Sequence, residues 1–210
     1  IVEQYGYYPK ELVGNSVAWT QELAWADDAL ASLAAVLHRW DDAAYFEHRS
    51  YSFENQWDPA VGFFHARYSD GTFQEDLNPL EWEEEFTEGN AWQYLWMPPA
   101  HADHLATLMG GDEAAIARLD TFMEGARTEG LIPMPPAYYW HGNEPDIHAP
   151  FLYSLWGDQD RTARWQRWIE DERYFNEPQG LAGNDDAGTL SAWYLFSVLG
   201  FYPIAGTDQY

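Results

Sequence analysis

The sequence predicts an all-α fold built from helical hairpins, on two observations. Apolar residues recur at helical spacing in seven stretches, and the links between those stretches alternate between a few residues and many. Residues 16–38 carry Val17, Leu23, Ala24, Leu30, Leu33 and Leu37 near a 3.6-residue period and form the first helix. Asp41-Asp42 open the second, over 41–55, as an acidic first turn. The third spans 91–109 and is bent or broken at Pro98-Pro99, because proline has no N–H to continue the ladder. Gly110-Gly111 stop it, and Asp112 caps the fourth, which runs to residue 126. The fifth covers 147–155, and Gly157-Asp158 link it tightly to the sixth, 159–173. The seventh, 187–199, is stopped by Gly200 and Pro203. Residues 56–88 are irregular, with turn signals at Asp58-Pro59, Gly62, Asp70-Gly71 and Asn78-Pro79. A short strand over 62–68 suits a hairpin across Asp70-Gly71. Two further irregular stretches are 127–146, containing Pro133, Pro135 and Pro136, and 174–186.

Short links make antiparallel helix hairpins. Hairpins laid side by side collect the long loops, of about 33, 20 and 13 residues, at one end. Loops of that length in a compact domain are functional or disordered. These carry Trp, Tyr, Pro and paired acids, which favours function. Hairpins with one loop-rich face close into a ring. The six-hairpin ring, the (α/α)6 barrel, needs twelve helices, so seven predict part of one. The chain begins at Ile1 and stops at Tyr210, just after Gly200-Phe201-Tyr202-Pro203, and reads as an internal piece of a longer protein.

Composition removes several function classes. There is no cysteine, hence no disulfide framework, thiolate metal site or Cys nucleophile. Ten Lys and Arg against 35 Asp and Glu give a net charge of −25, which opposes binding to nucleic acid. No apolar run is long enough to span a bilayer. Aromatic residues at 18% supply a core, which excludes an acidic disordered tail. One Lys (Lys10) stands against nine Arg. Such a surface suits a protein kept soluble in high salt, or an ordinary acidic secreted enzyme.

Each long loop ends in a polar cluster just before a helix. The first is Thr87-Glu88-Gly89-Asn90-Ala91-Trp92-Gln93-Tyr94, the second His141-Gly142-Asn143-Glu144-Pro145-Asp146-Ile147-His148, and the third Gly183-Asn184-Asp185-Asp186-Ala187-Gly188. Each on its own reads as a helix cap. Three at the same end of alternating helices point instead to one pocket in which Glu88, Glu144, Asp185 and Asp186 converge. A carboxylic acid and a carboxylate suit glycoside hydrolysis, and an inverting pair stands roughly 6.5–9.5 Å apart to admit a water. Carboxylates and amide carbonyls also suit a hard cation such as Ca²⁺, assembled from distant loops since no EF-hand spacing is present. The 12 Trp favour a sugar ligand, with Trp165 and Trp168 read as helix packing. His141 is a candidate substrate contact and His148 a structural residue. Glu83-Glu84-Glu85 reads as a solvated run, and His101-x-x-His104 as a helix surface without a third ligand.

The three clusters resemble glycoside hydrolase family 92, the calcium-dependent inverting exo-α-mannosidases. The matching runs are Glu88–Tyr94, Asn143–His148 and Gly183–Asp186, the last continuing as Ser191-Ala192-Trp193-Tyr194 and Leu199–Pro203. Lesser matches are Thr20, Glu22 to Asp27, Asp58-Pro59 with Gly62-Phe63, Asp70-Gly71 and Leu108-Met109-Gly110-Gly111. The resemblance implies that residues 1–210 are the C-terminal part of an (α/α)6-barrel catalytic domain. The remaining helices and an N-terminal β-sandwich domain would lie outside this chain. It implies Glu88 as general acid and Asp186 as general base, with Asp185 sharing the duty of a second carboxylate whose family position is Asn184 here. It implies Asn90, Trp92, Gln93, His141, Asn143 and Glu144 around the sugar, and Glu144, Asn143 and Asp186 around calcium. The implied substrate is an α-mannoside oligosaccharide or glycoprotein glycan, met in a secreted or periplasmic setting. Glu88 would keep its proton through burial among Trp82, Trp92 and other apolar groups.

The chain departs from the family at Met97-Pro98-Pro99-Ala100-His101, where Pro-His-Asp is common. It also carries Asn143 where 1,2-cleaving members carry His, which leaves the linkage open. Two alternatives remain at this point: another (α/α)6-barrel glycosidase, and a catalytically inactive sugar-binding protein.

Overall fold

The computed structural model of the chain describes residues 1–130 and 136–210, so Pro133 and Pro135 of the second long loop lie outside the described residues. The predicted all-α class holds, with strands confined to two short pieces among the described residues. The chain divides into two compact units, Ile1–Ala100 with Ala205–Thr207, and His101–Ile204 with Asp208–Tyr210.

The first unit opens with a single turn, α1 (Val2–Tyr5), followed by the hairpin of α2 (Ser16–Val36) and α3 (Trp40–Arg49). His38 adopts a left-handed φ of 57°, and Arg39 N–H returns to the Ala34 carbonyl at 2.8 Å. That turn ends α2 two residues earlier than its apolar period suggests. Asp41 and Asp42 lie in the first turn of α3 and His48 and Arg49 in its last, each at the end that its charge favours. Arg49 then ties three helices together, 3.0 Å from both Asp27 of α2 and Glu3 of α1. Residues 52–55, predicted as the end of the second helix, belong instead to a separate 3₁₀ turn, Ser52–Gln56. The strands β1 (Trp57–Asp58) and β2 (Phe63–Phe64) pair antiparallel across Pro59–Gly62. The expected Asp70-Gly71 turn is present as a single bridge between Arg67 and Phe73, with Asp70 Oδ1 accepting from Thr72 N–H. The core of this unit gathers Val17, Ala24, Phe53, Phe64, Leu95 and Trp96, all fully enclosed.

The predicted third helix is two helices. α4 (Ala91–Tyr94) ends after one turn in the first unit, and α5 (Ala102–Met109) starts beyond a 3₁₀ turn at Pro99–His101. The break falls on Pro98-Pro99, where two consecutive N–H donors are missing and the preceding residues are pushed out of the helical region. In the second unit α5 and α6 (Asp112–Glu129) form a hairpin across Gly110 and Gly111, whose φ values of 102° and 110° only glycine adopts readily. Gly111 is the N-cap of α6 and Asp112 its first residue, so the expected Asp112 cap is absent. Asp112 instead contributes charge to the first turn. The hairpin of α7 (Ala149–Leu155) and α8 (Gln159–Arg173) is closed by Asp158, whose side chain accepts from Arg161 N–H. α9 (Thr189–Leu199) follows a 3₁₀ turn over Asp186–Gly188. Trp165 is buried and packs edge-on against Trp168 at 5.6 Å, the helix packing expected of both. Leu119, Phe122, Tyr153, Ile169 and Leu190 complete this core.

Part of the predicted apolar stripe of α2 is not covered. Val17, Ala18 and Ala24 are buried, whereas Leu33 and Leu37 are 54% and 59% exposed. Leu195, Val198 and Leu199 of α9 are also exposed. These exposed side chains share their helices with covered positions, since Ala34 of α2 and Ser197 of α9 are buried.

The net charge of −25 is carried by a chain with only ten cationic side chains to offset it. Raising KCl from about 0.1 to about 1 M shortens the screening length from ~10 to ~3 Å. The midpoint of thermal unfolding should therefore rise across that range. A midpoint that stays level or falls would show that repulsion among the acids does not weaken the fold.

Candidate active site

The first polar cluster forms the entry to α4. Asn90 is its N-cap: the side chain accepts from Gln93 N–H at 3.0 Å, and Gln93 Oε1 accepts from Asn90 N–H at 3.2 Å. Asn90 also donates to the Leu80 carbonyl. Both residues are fully buried. A capping box thus engages the Asn90 side-chain oxygen and Gln93 Oε1 with the backbone of the same turn. Trp92 is half-buried, edge-on to Phe63 at 5.1 Å. Glu88 sits just upstream with a left-handed φ of 50°, unusual for a residue with a Cβ. Its side chain is exposed, and so is Trp82, so the expected apolar enclosure of Glu88 is not present. Thr87 and Gly89 on either side are fixed by Tyr94. The Tyr94 hydroxyl donates to the Thr87 carbonyl at 2.8 Å, and a Cβ on Gly89 would lie 2.9 Å from the Tyr94 ring. In the acidic run upstream Glu84 is exposed, as expected, whereas Glu85 is buried and ion-paired with Lys10.

The second and third clusters are brought together in the second unit. A Cβ on Gly142 would lie 2.5 Å from the Ala182 carbonyl oxygen, and a Cβ on Gly183 2.5 Å from the Gly142 carbonyl oxygen. The two loops thus meet backbone to backbone, which only glycine permits. Trp193 Nε1–H of α9 donates to the Ile147 carbonyl at 2.9 Å, a second tie between the same loops.

His141 is the hub of that junction. The Tyr174 hydroxyl donates its only proton to the Leu190 carbonyl at 2.8 Å, so its oxygen accepts from His141 Nε2, 2.6 Å away. His141 Nδ1 is then the unprotonated nitrogen and accepts the Tyr139 hydroxyl proton at 2.6 Å. The order of donors fixes a neutral Nε2–H tautomer. Burial, with the Arg173 guanidinium second, pushes the imidazole down to about 3. The ring lies edge-on to Trp193 at 4.5 Å and is 1% exposed. Both nitrogens and the ring of His141 thus contact protein groups. His148 is buried at the start of α7, as expected of a structural residue. His101, read as helix surface, is buried at the start of α5.

The acids of these loops divide by what holds them. Asp185 accepts from Ser191 N–H at 2.9 Å and from the Ser191 hydroxyl at 2.5 Å. Those bonds from the first turn of α9 draw its carboxyl below the usual range. Asp185 thereby ties the preceding loop to the first turn of α9, whose N-cap position is Gly188. Asp186 is exposed, and its backbone carbonyl accepts from the Thr189 hydroxyl at 2.6 Å. The next residue, Ala187, has φ 52°. In the second cluster Asp146 is fully buried, with Oδ2 accepting from Trp140 N–H at 3.0 Å. Burial raises its carboxyl well above the ordinary value, against the opposing backbone hydrogen bonds.

His141 and Asp146 pull stability in opposite directions as pH changes. Below about 6.5 the unfolded chain takes a proton at His141 that the folded chain refuses, so the fold weakens as pH falls. Above about 3.8 the unfolded chain releases a proton at Asp146 that the folded chain keeps, so the fold weakens as pH rises.

Hard-cation donors are present in the second cluster. Glu144 Oε1 and Asp146 Oδ1 are buried with no hydrogen-bond partner among the described residues. Asn143 is 8% exposed beside them and contributes an amide oxygen. Oxygen donors of this kind fit Ca²⁺ in chemistry. Among the described residues, however, no three His, Cys, Asp or Glu side chains gather into a metal-binding group.

Sequence reasoning missed Tyr139, Tyr174, Asp146 and Glu85. Asp146 stands inside a motif that was recognised. Tyr139 and Tyr174 are 35 positions apart in the chain and carry no local signal.

The catalytic-domain profile of glycosyl hydrolase family 92 matches residues 1–210. An uncharacterised secreted glycosidase of Arthroderma benhamiae is 24% identical over 231 residues, covering 99% of this chain and 28% of that protein. A family-92 α-mannosidase from Bacteroides thetaiotaomicron has a TM-score of 0.89 at 34% identity, covering 99% of this chain and 27% of that one. An inverting mannosidase of the same family and species has a TM-score of 0.83 at 31% identity, covering 96% and 29%. The chain therefore spans less than a third of the length of each of these relatives. Likeness at this level shows that its helices are a portion of an (α/α)6 barrel.

Two outcomes test the junction. Nitrogen-detected NMR of His141 should show the Nε2–H tautomer with no titration between about pH 4.5 and 8; a midpoint near the free-histidine value of ~6.5 would break the relay. Gly183→Ala forces the loops apart and should lower stability in urea by about 1–3 kcal/mol, whereas an unchanged midpoint would mean the contact is loose.

Proposed function

Because this chain belongs to glycosyl hydrolase family 92, we propose that the protein containing it hydrolyses terminal α-mannosidic bonds of oligosaccharides or glycoprotein glycans with inversion. The supporting observation is the division among the acids at the loop ends. Asp185 is bonded to Ser191 of α9, whereas Asp186 is exposed next to the left-handed Ala187, and Glu88 is exposed and itself left-handed. Strain of that kind collects at functional sites. Relatives described as an α-mannosidase and an inverting mannosidase support the choice of sugar and of stereochemistry.

In this reading Glu88 gives its proton to the glycosidic oxygen as the bond to the leaving group breaks. Asp186 takes a proton from a water that attacks the anomeric carbon from the opposite face, so β-mannose is the first product. Trp92 offers an indole beside the acid for an apolar sugar face. Glu144, Asn143 and Asp186 are the residues that would hold calcium; bound there, it would supply positive charge to two vicinal sugar hydroxyls. The rest of the barrel and a β-sandwich domain complete the catalytic unit. The proposed setting is secreted or periplasmic, in keeping with a relative described as secreted and with the absence, among the described residues, of a helix long and apolar enough to cross a membrane.

The test uses the full-length gene product. Manno-disaccharides should release β-mannose first by proton NMR, and EDTA should suppress the release until Ca²⁺ is restored. Glu88→Gln should lower kcat by about 10²–10⁴-fold on a disaccharide and far less on 2,4-dinitrophenyl α-mannoside, whose leaving group departs without a proton. Equal activity of Glu88→Gln on both would sink the acid assignment, and α-mannose as first product would sink inversion. Mannose binding without hydrolysis would select a sugar-binding role.

A further inference from the structure

Lys10 is the chain's single lysine, and it is fixed at both ends. Its backbone N–H donates to the Arg67 carbonyl at 2.9 Å. Its ammonium is ion-paired with Glu85 and lies 3.7 Å from Glu84 Oε1. The two acids differ sharply in setting, the Glu85 side chain being 3% exposed and that of Glu84 86%. Lys10 therefore compensates one buried carboxylate.

The backbone of the same two residues is bound to the start of α2. Asn15 N–H donates to the Glu84 carbonyl at 2.9 Å, and Val17 and Ala18 N–H both donate to the Glu85 carbonyl at 3.2 Å. These are first-turn donors that have no partner within the helix. Downstream, Phe86 is buried against Tyr94 at 5.3 Å, and Tyr94 holds Thr87. Glu88 follows, in its left-handed conformation. A strained residue keeps such a conformation only where its surroundings over-determine it. Tyr94 provides the near anchor. The far anchor is the Glu84-Glu85 pair, whose backbone is held by α2 and whose one buried carboxylate is compensated by Lys10.

We infer that Lys10 is a positioning residue for Glu88, its ion pair with the buried Glu85 holding the upstream end of the segment that carries the proposed acid. The inference rests on the reading of Glu88 as proton donor. Loss of the pair releases residues 84–87, and Glu88 no longer meets the glycosidic oxygen at the right place. Proton donation then suffers, while steps that need no acid do not.

The experiment compares leaving groups in the full-length gene product. Lys10→Met strands a buried carboxylate and threatens the fold, so the charge-free pair Lys10→Met/Glu85→Gln accompanies it, with Lys10→Arg as the conservative variant. For the double variant, kcat on a manno-disaccharide should fall by about 10–100-fold, the scale of a misplacement near 1 Å. On 2,4-dinitrophenyl α-mannoside it should change by less than about 3-fold, a substrate that needs no acid assistance. Lys10→Arg should recover most of the disaccharide activity. A fall shared equally by both substrates, or by neither, in an enzyme whose Glu88→Gln variant does discriminate between them, overturns the role of Lys10. If Glu88→Gln itself fails to discriminate, the acid assignment falls first and this inference with it.

Discussion

Gly142 and Gly183 lie against one another with no space for a Cβ on either, and the geometry of the second unit's loops follows from that contact. Two segments 41 positions apart meet at backbone distance, so the acids that follow each glycine are placed by peptide groups rather than by flexible side chains. The Tyr139–His141–Tyr174 relay then locks the contact from within, ending on a carbonyl of α9. The arrangement depends on His141 staying neutral. A protonated ring would have to donate from both nitrogens, and Tyr139 would lose the acceptor for its hydroxyl proton.

The three polar clusters show how helix capping and chemistry compete for the same residue types. Asn, Asp and Gln are what a helix start requires and also what a sugar or a cation recognises. Here the competition is settled residue by residue. Asn90 and Gln93 close a capping box, and Asp185 serves Ser191. Their neighbours Glu88 and Asp186 are left at the surface. Capping therefore contributes to a site indirectly, by fixing the backbone on which an adjacent acid is displayed.

Much of this architecture was legible because it is local. The apolar period marked the helices, and glycine and proline marked their ends. The hairpins α2–α3, α5–α6 and α7–α8 fall where short links place them. The Pro98-Pro99 break was visible, though its extent was not, since one proline kinks a helix and two in succession can end it. What the sequence concealed is non-local. Glu85 stands in a run of three acids with identical local character, and only a lysine 75 positions away distinguishes it. His141 flanks the Asn143-Glu144-Pro145 run and reads from that as a sugar contact, while its partner Tyr174 comes from the far side of a hairpin. Burial of Leu33 and Leu37 was expected from periodicity alone, which states that a face is apolar but not what covers it.

The separation between local and distant contacts sets an order of assembly. Each helical hairpin closes within a few tens of residues, which is the kind of contact that forms early and at small entropic expense. The Gly142–Gly183 junction, the histidine relay and the Trp193–Ile147 bond each span 33 or more positions. They form once the hairpins exist, and by the same reasoning they are first to open. Asp186 thus takes its place only after the α7–α8 hairpin that precedes its loop has formed.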